Sequence, residues 1–188
     1  MTMKATLQPA SGRILVSEPS LTDRFFSHSV VLIAEHDSDG SFGLIINKPS
    51  EIKLSQITDE FPEFDPYINL GGPVKVENLY FIHTMGDKVE GSMKIMDGLY
   101  WGGNVQVVKE MIRKREITEN EIRFFIGYSG WKPNQLEKEL SDNSWLVLNT
   151  TVEEVFRVNT EKTWRNILIS LGQEYAQWVN YPEDPQLN

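Results

Sequence analysis

The sequence contains no cysteine and only three histidines among its 188 residues. Without cysteine the chain cannot form a disulfide, a thiolate-ligated zinc or iron–sulfur site, or a thiol nucleophile. Long apolar runs are also missing: the longest, residues 30–34, has five residues, whereas a membrane-spanning helix needs about 20. Residues 1–20 lack the apolar segment of a signal peptide, so we expect a soluble, cytoplasmic protein.

Basic residues are outnumbered by acidic ones. Lys and Arg total 18 and Asp and Glu total 27, which gives a formal net charge of −9. Direct binding to a DNA backbone relies on clustered cations that displace counterions, so the charge argues against a nucleic-acid partner. The best basic cluster, Lys109 with residues 113–115, is interpreted as the solvated face of an amphipathic helix.

Motifs that would identify a reaction or a cofactor are absent from the sequence. There is no Gly-x-Ser-x-Gly nucleophile elbow and neither of the two common phosphate-loop fingerprints. The three histidines, His28, His36 and His83, match no metal-ligand spacing, and the neighbours Glu35 and His36 would point to opposite faces of a strand. We therefore expect no metal, no cofactor and no catalytic residues, and interpret the protein as a non-enzyme.

The first half of the chain is predicted to form short strands separated by turns. Apolar runs predict strands over residues 13–17 and 27–35, and the second is apolar on both faces, which is typical of a strand covered on both sides. A polar, glycine-containing link joins it to a strand over residues 42–47, which predicts a hairpin ended by Pro49. The further elements are a short helix and three strands, over residues 54–60, 79–84, 92–96 and 99–101.

After residue 104 the apolar residues recur at helical spacing, with Asn104 as a candidate N-cap. Alternation over residues 122–127 predicts a central strand, and the glycines around Tyr128 and Ser129 predict a turn that ends it, with Trp131 in a loop. A helix is predicted from Pro133 to about Leu140, followed by a strand over residues 145–148. Thr151 and Glu154 have the spacing of a capping box. The last predicted helix covers residues 164–171 and ends at Gly172, and the C-terminal tail after it is polar.

Strands outnumber helices and lack strict alternation with them. This favours an α+β fold with a mixed or antiparallel sheet over a doubly wound fold. Since no linker of convincing length appears, residues 1–188 are predicted to form one domain with an ordered core over about 12–172.

Binding residues concentrate on loops positioned by a rigid sheet, and the predicted strand ends are rich in Gly, Pro and polar side chains. Trp131 could supply apolar area, and Asn47 and Gln135 fixed hydrogen bonds, the usual mix of a small pocket. The structural alternative is that Asp23 caps a turn, Asn47 supports the turn at residues 47–49 (Asn-Lys-Pro) and Trp131 packs on the helix that begins at Pro133. The candidate surface, called the strand-end set below, is Asp23, His36, Asn47, Gly71, Gly72, Pro73, Tyr128, Ser129, Trp131 and Gln135.

Several segments in a fixed order resemble the YqgE/AlgH family, also called UPF0301. The segments that carry the resemblance are residues 12–16, 19–23 with Phe26, 29–37, 43–49 (GLIINKP), 71–74 (GGPV), and 123–131 (RFFIGYSGW) with 135–137. Trp164 and Leu171-Gly172 also fit the C-terminal helix of that family, whereas residues 88–103 match its pattern least well.

The resemblance implies a bacterial cytosolic protein with a compact α+β fold and a bent, mixed sheet. It implies no established enzymatic activity and no agreed catalytic residues; some members carry the label of transcriptional regulator. Because the charge argues against direct DNA binding, a regulatory role would be indirect, through a protein or small-molecule partner. The alternative is an unrecognised enzyme or small-molecule-binding protein that uses the strand-end loops as a pocket.

Overall fold

In a computed structural model, which describes residues 7–19, 21, 23–61, 64–158, 160 and 162–180, the chain forms ten strands and five α-helices. The strands are β1 (Arg13–Ser17), β2 (Val30–Asp37), β3 (Gly40–Ile45), β4 (Pro49–Lys53), β5 (Tyr67–Leu70), β6 (Val74–His83), β7 (Met93–Met96), β8 (Leu99–Trp101), β9 (Ile122–Trp131) and β10 (Trp145–Asn149). The helices are α1 (Val105–Arg113), α2 (Gln135–Ser141), α3 (Val152–Arg157), α4 (Lys162–Ser170) and α5 (Gln173–Ala176).

The strands form a largely antiparallel sheet in the order β10-β1-β2-β3-β9-β6-β8-β7. One pairing is parallel: β5 lies beside β9 and carries the edge strand β4. The predicted α+β class with a mixed, mainly antiparallel sheet is confirmed. No helix among the described residues has the length and apolar character needed to cross a membrane.

The long strand β9 joins the two parts of this sheet. Residues 122–126 and Tyr128 pair with β6, and the last three residues, Ser129 to Trp131, pair with β3. Gly127 lies at the register shift within the β6 pairing and has a φ of +66°, a conformation that glycine adopts without strain, so β9 continues through it. The predicted turn at residues 128–130 is therefore wrong, and Trp131 is the last residue of a strand and not a loop residue.

The core has one layer on each face of the first four strands of the sheet. Residues 30–34 of β2 are all buried, which confirms the prediction of a strand covered on both sides. Alternate residues contact α2 and Trp145 on one face, and α3, α4 and Tyr175 on the other. A third apolar cluster lies under α1 and the segment around Phe61 and Phe64.

Three local predictions differ from the structure at element boundaries. Pro49 is the first residue of β4, a strand that the sequence did not indicate, because proline is tolerated at the start of an edge strand. The helix predicted over residues 54–60 is a single 3-10 turn, Leu54–Gln56. Strand β2 starts at Val30 and not at Ser27, since His28 has a φ of +51° in the preceding turn.

The predicted helix signals are mostly confirmed. The Asn104 side chain accepts a hydrogen bond from the Gln106 amide at the start of α1, and Thr151 and Glu154 form the predicted capping box of α3. Helix α2 begins at Gln135, two residues after the predicted start. The predicted polar tail over residues 181–188 lies outside the described residues.

Candidate functional site

An open groove of about 560 Å³ lies where the β2–β3 hairpin meets the end of β9, and we call it the hairpin groove. Three members of the strand-end set line it: Tyr128, Trp131 and Gln135. The hairpin contributes Glu35, Asp37, Asp39, Ser41 and Phe42 to the lining, and Lys132 and Pro133 follow β9 at the other end.

Two aromatic rings form the apolar part of the groove. The ring centroids of Phe42 and Tyr128 are 5.0 Å apart, and both side chains are half-buried. The Tyr128 ring lies beside Gly130, where a Cβ atom would be only 2.9 Å from its Cε2. The Tyr128 ring can occupy this position because residue 130 has no side chain.

The aromatic surface continues away from the groove onto β6 and β8. The Phe42 ring lies 4.7 Å from Trp101 and 5.9 Å from Tyr80. Trp101 Nε1 donates a hydrogen bond of 3.2 Å to Glu35 Oε1, so the Glu35 carboxylate lies at the edge of this cluster. The arrangement depends on a register shift between Ile33 and Glu35, which sets Glu35 directly opposite Phe42.

On the other face of the hairpin, His36 and Ser41 form a cross-strand pair. His36 Nδ1 lies 2.8 Å from Ser41 Oγ, and His36 Nε2 lies 3.6 Å from a carboxylate oxygen of Glu137 in α2. A serine hydroxyl, an imidazole and a carboxylate are therefore adjacent in space, in that order, next to the groove. In the neutral tautomer with the proton on Nε2, the Nδ1 atom could accept the hydroxyl proton.

Trp131 and Gln135 are held by the carboxylate of Glu139. The indole nitrogens of Trp131 and Trp145 each donate to Glu139 Oε2 at 2.8 Å. Gln135 donates to Glu139 Oε1 at 2.9 Å and accepts from the Lys132 amide at 3.0 Å. Since Trp131 is 6% exposed and packs on Trp145, its main contact is with the core under α2.

Asn47 and Asp23 lie outside the groove, and each side chain forms hydrogen bonds with backbone atoms. The fully buried Asn47 accepts from the Val30 amide at 2.7 Å and donates to the His28 carbonyl at 2.9 Å. Asp23 accepts from the amide of Phe25 at 2.8 Å and from that of Phe26 at 3.2 Å in an exposed turn. Asp23 therefore caps its own turn, as the structural alternative predicts, whereas Asn47 supports the segment before β2 and not the turn at residues 47–49.

The Gly71-Gly72-Pro73 segment crosses β9 at close range and does not line the groove. A Cβ atom on Gly71 would lie 2.3 Å from the Gly127 carbonyl oxygen, and one on Gly72 would lie 2.3 Å from Tyr128. The buried Ser129 hydroxyl donates to the Gly71 carbonyl at 3.0 Å. Pro73 is exposed. Small residues are needed here because two backbones are in contact.

Two of the four residues of the predicted basic cluster pair with acidic side chains. Lys109 Nζ lies 2.9 Å from a Glu60 carboxylate oxygen, and Lys114 Nζ lies 3.3 Å from Glu110. Among the described residues there is also no group of three or more histidine or acidic side chains that could hold a metal ion.

Two other concave surfaces contain no member of the strand-end set. One is an apolar cavity of about 540 Å³ between β10 and the C-terminal helices, lined by core residues such as Ile14, Ile46 and Leu171. The other is a polar groove of about 750 Å³ beside β4 and β5, which Arg123 and Asn69 line. We select the hairpin groove because it combines half-buried rings with carboxylates, whereas the apolar cavity is lined mainly by core side chains.

The sequence profile of the AlgH-like family matches residues 14–176 of the chain. The chain belongs to the AlgH-like family. It is 40% identical over 178 residues to a UPF0301 protein of Cytophaga hutchinsonii, an alignment that covers 94% of this chain and 98% of that one. It is 37% identical over 177 residues to one of Chlorobaculum tepidum, covering 94% and 95% of the two chains. The family resemblance seen in the sequence is therefore confirmed.

Two solved structures share the fold of this AlgH-like chain. The solution structure of the AlgH protein from Pseudomonas aeruginosa superposes with a TM-score of 0.72 at 25% identity, covering 96% of this chain and 98% of that one. A crystal structure of a Corynebacterium diphtheriae protein superposes with a TM-score of 0.76 at 20% identity, covering 95% of each chain.

An arginine and a histidine are buried in this AlgH-like fold: Arg123, which was not singled out from the sequence, and His83, which was named there only as a histidine that matches no metal-ligand spacing. Arg123, on β9, has its guanidinium enclosed, and burial lowers its pKa to about 10. His83, on β6, is fully buried, and burial lowers its pKa, although its hydrogen bond to the Gly102 carbonyl acts in the opposite direction. Each is a single polar residue within an apolar strand pattern, and this pattern is the sequence signal that could have indicated a buried polar group.

His83 also contacts a serine, Ser92, whose Oγ lies 2.9 Å from His83 Nε2. The Met85 amide donates to Nδ1 at 3.3 Å, so in the neutral ring the proton is on Nε2. Nε2 then donates to the Gly102 carbonyl, 3.1 Å away, and cannot accept a proton from Ser92. This pair is therefore structural.

Proposed function

We propose that this AlgH-like protein is a cytoplasmic binding protein without catalytic activity, and that it takes up a partner in the hairpin groove. Any effect on transcription would be indirect, through that partner. The observation that carries the proposal is the combination of the half-buried rings of Phe42 and Tyr128 with the carboxylates of Glu35, Asp37 and Asp39. Exposed aromatic area beside fixed polar groups is typical of binding sites.

The charge distribution supports an indirect role. A net charge of −9 would repel a DNA backbone, and Lys109 and Lys114 already pair with acidic side chains. In a mobility-shift assay at physiological salt, the isolated protein should give no sequence-dependent complex. A complex at nanomolar concentration would contradict the indirect route.

A thermal-shift screen of a chemically diverse metabolite library tests the proposal. Ligands that stabilise the wild type should lose their effect in Tyr128→Ala, because the change removes one of the two half-buried rings of the groove. Tyr67→Ala is the matched control: it removes the same ring at an exposed position, 60% accessible, in the polar groove beside β4 and β5. Stabilising ligands that are unaffected by Tyr128→Ala would bind elsewhere and refute this site.

A second candidate function is ester hydrolysis, which the spatial arrangement of Ser41, His36 and Glu137 favours. Ser41 Oγ would bond to the ester carbonyl carbon while its proton moves to His36 Nδ1, and the leaving alcohol would take that proton as the carbon–oxygen bond breaks. Water would then release the acyl group from Ser41. This candidate ranks second because Glu137, 3.6 Å away and half exposed, does not fix the imidazole by a hydrogen bond.

Fluorophosphonate labelling and p-nitrophenyl ester hydrolysis separate the two candidates. If the protein is a hydrolase, Ser41→Ala should abolish both labelling and turnover, whereas the control Ser50→Ala should keep them. If the protein is only a binding protein, the wild type should not be labelled and should release p-nitrophenol no faster than Ser41→Ala.

A further inference from the structure

The aromatic part of the hairpin groove is suited to a cation. Phe42 lies at the centre of a cluster in which Tyr80, Trp101 and Tyr128 all have ring centroids within 6 Å of its own. All four side chains are half-buried and so keep some accessible ring surface. The faces of aromatic rings carry negative electrostatic potential and attract guanidinium and ammonium groups within about 6 Å.

The hairpin adds negative charge along one side of these rings. Glu35 and Asp37 are two residues apart on β2 in regular register with β3, so they lie on the same face, about 7 Å apart along the strand. Asp39 follows at the hairpin tip. In the part of the chain that the structure describes, none of these three carboxylates has a cationic group within 4 Å, and Lys132 is the one cationic residue in the groove lining.

From this geometry we infer that the hairpin groove binds a short, extended basic segment of a protein partner, with arginine or lysine at alternate positions. The inference rests on the proposed binding function and names the chemistry of the partner. Side chains two residues apart in an extended chain are about 7 Å apart, which matches the spacing of Glu35 and Asp37. One basic side chain would lie over the Tyr128 and Phe42 rings, and arginine suits this position because its planar group stacks on aromatic faces.

The test uses two peptides that differ only in charge. Acetyl-Arg-Ala-Arg-amide is compared with the same peptide carrying citrulline, a neutral analogue of nearly the same shape, by ¹H–¹⁵N chemical-shift titration of the full chain at low salt. The arginine peptide should bind at least tenfold more tightly and shift the amides of residues 35–42 and 128–132. Raising the ionic strength to about 0.3 M should weaken it, because salt screens charges on an open surface.

Variants of the groove provide the control for net charge. Glu35→Gln and Asp37→Asn keep the acceptor oxygens that bind Trp101 and the Asp39 amide, so the local structure should persist while affinity falls at least threefold. Glu119→Gln makes the same charge change at an exposed position in the polar groove beside β4 and β5, and should leave affinity unchanged.

Four results would overturn the inference. Equal affinity for the citrulline peptide in the groove would show that charge is not recognised, while the proposed binding function would stand. If Glu119→Gln lost as much peptide affinity as Glu35→Gln and Asp37→Asn, the peptide would be attracted by the net charge of the protein alone. Failure of both peptides to bind would also refute it, and the metabolite screen would still decide on the proposed function. If free N-acetylarginine amide bound as tightly as the peptide, the ligand would be a small cation and not a protein segment.

Discussion

Replacing Arg123 with methionine removes the side chain that ties β9 to three other parts of the chain. Its Nη1 donates to the carbonyls of Val155, at 3.0 Å, and Val158, at 2.5 Å, at the C-terminal end of α3. Its Nη2 donates to the Ile46 carbonyl at 2.6 Å and to Asn69 Oδ1 in β5. No acidic side chain among the described residues lies within ion-pair distance of this guanidinium, so neutral dipoles alone stabilise its charge.

The magnitude follows from two opposing contributions. A hydrogen bond from a charged donor stabilises by about 1.5 kcal/mol or more, so four such bonds contribute about 6 kcal/mol. Burial opposes this, because lowering the pKa from 12.5 to about 10 corresponds to a cost of about 3 kcal/mol for keeping the charged form. Methionine retains much of the apolar stem but removes both contributions. The free energy of unfolding should therefore fall by about 3 kcal/mol.

Urea unfolding, monitored by tryptophan fluorescence, measures this loss. If the free energy of unfolding depends on urea concentration with the same slope in the variant and the wild type, both expose the same surface on unfolding. Arg123→Lys should also destabilise, because an ammonium group cannot reach acceptors on three segments with a planar fork. Arg165→Met, on the exposed face of α4, is the control and should change stability by less than about 0.5 kcal/mol. A loss below about 1 kcal/mol in Arg123→Met would refute the reasoning.

Three further variants test the roles assigned above. Asn47→Ala should reduce the free energy of unfolding by about 2 kcal/mol, because it leaves the buried Val30 amide without its acceptor; an unchanged urea midpoint would contradict this. Trp131→Ala should cost about 3–5 kcal/mol as a large-to-small core change and leave Glu139 without one of its donors, whereas a loss below about 1 kcal/mol would place the indole outside the core. His83 has a pKa below its ordinary 6.5 in the folded chain, so below that pH only the unfolded chain gains the proton. Stability should therefore fall as the pH drops from 7 to 5, and this fall should be smaller in His83→Gln; equal slopes would contradict the assignment.

Local patterns predicted most strands and helices because those signals lie within a few residues. The apolar run of residues 30–34, the Asn104 cap and the Thr151 capping box each act within one element, and the structure contains all three. The errors occur where a distant neighbour decides the conformation. Gly127 indicates a turn by itself, but β3 and β6 pair with β9 on either side of it and keep the strand continuous.

The strand-end set contains residues that line the groove and residues that contact the backbone of distant segments, and local sequence does not separate the two. Asn47, Gly71, Gly72 and Ser129 were selected for polarity and small size, and these properties serve contacts between backbones of distant segments. Local sequence cannot distinguish such a residue from one that binds a ligand, since both need a polar or small side chain at a strand end.

The groove itself depends on partners that no local pattern could bring together. Phe42 and Glu35 were not in the strand-end set because each reads as an ordinary strand residue, yet the register shift in β2 places them opposite each other beside Tyr128. The ring of Tyr128 keeps its position because residue 130 is glycine, and Asp37 and Asp39 are exposed near the hairpin tip. A side chain at residue 130 should therefore displace Tyr128 and weaken ligand binding while the buried contacts of Trp131 on the other face persist.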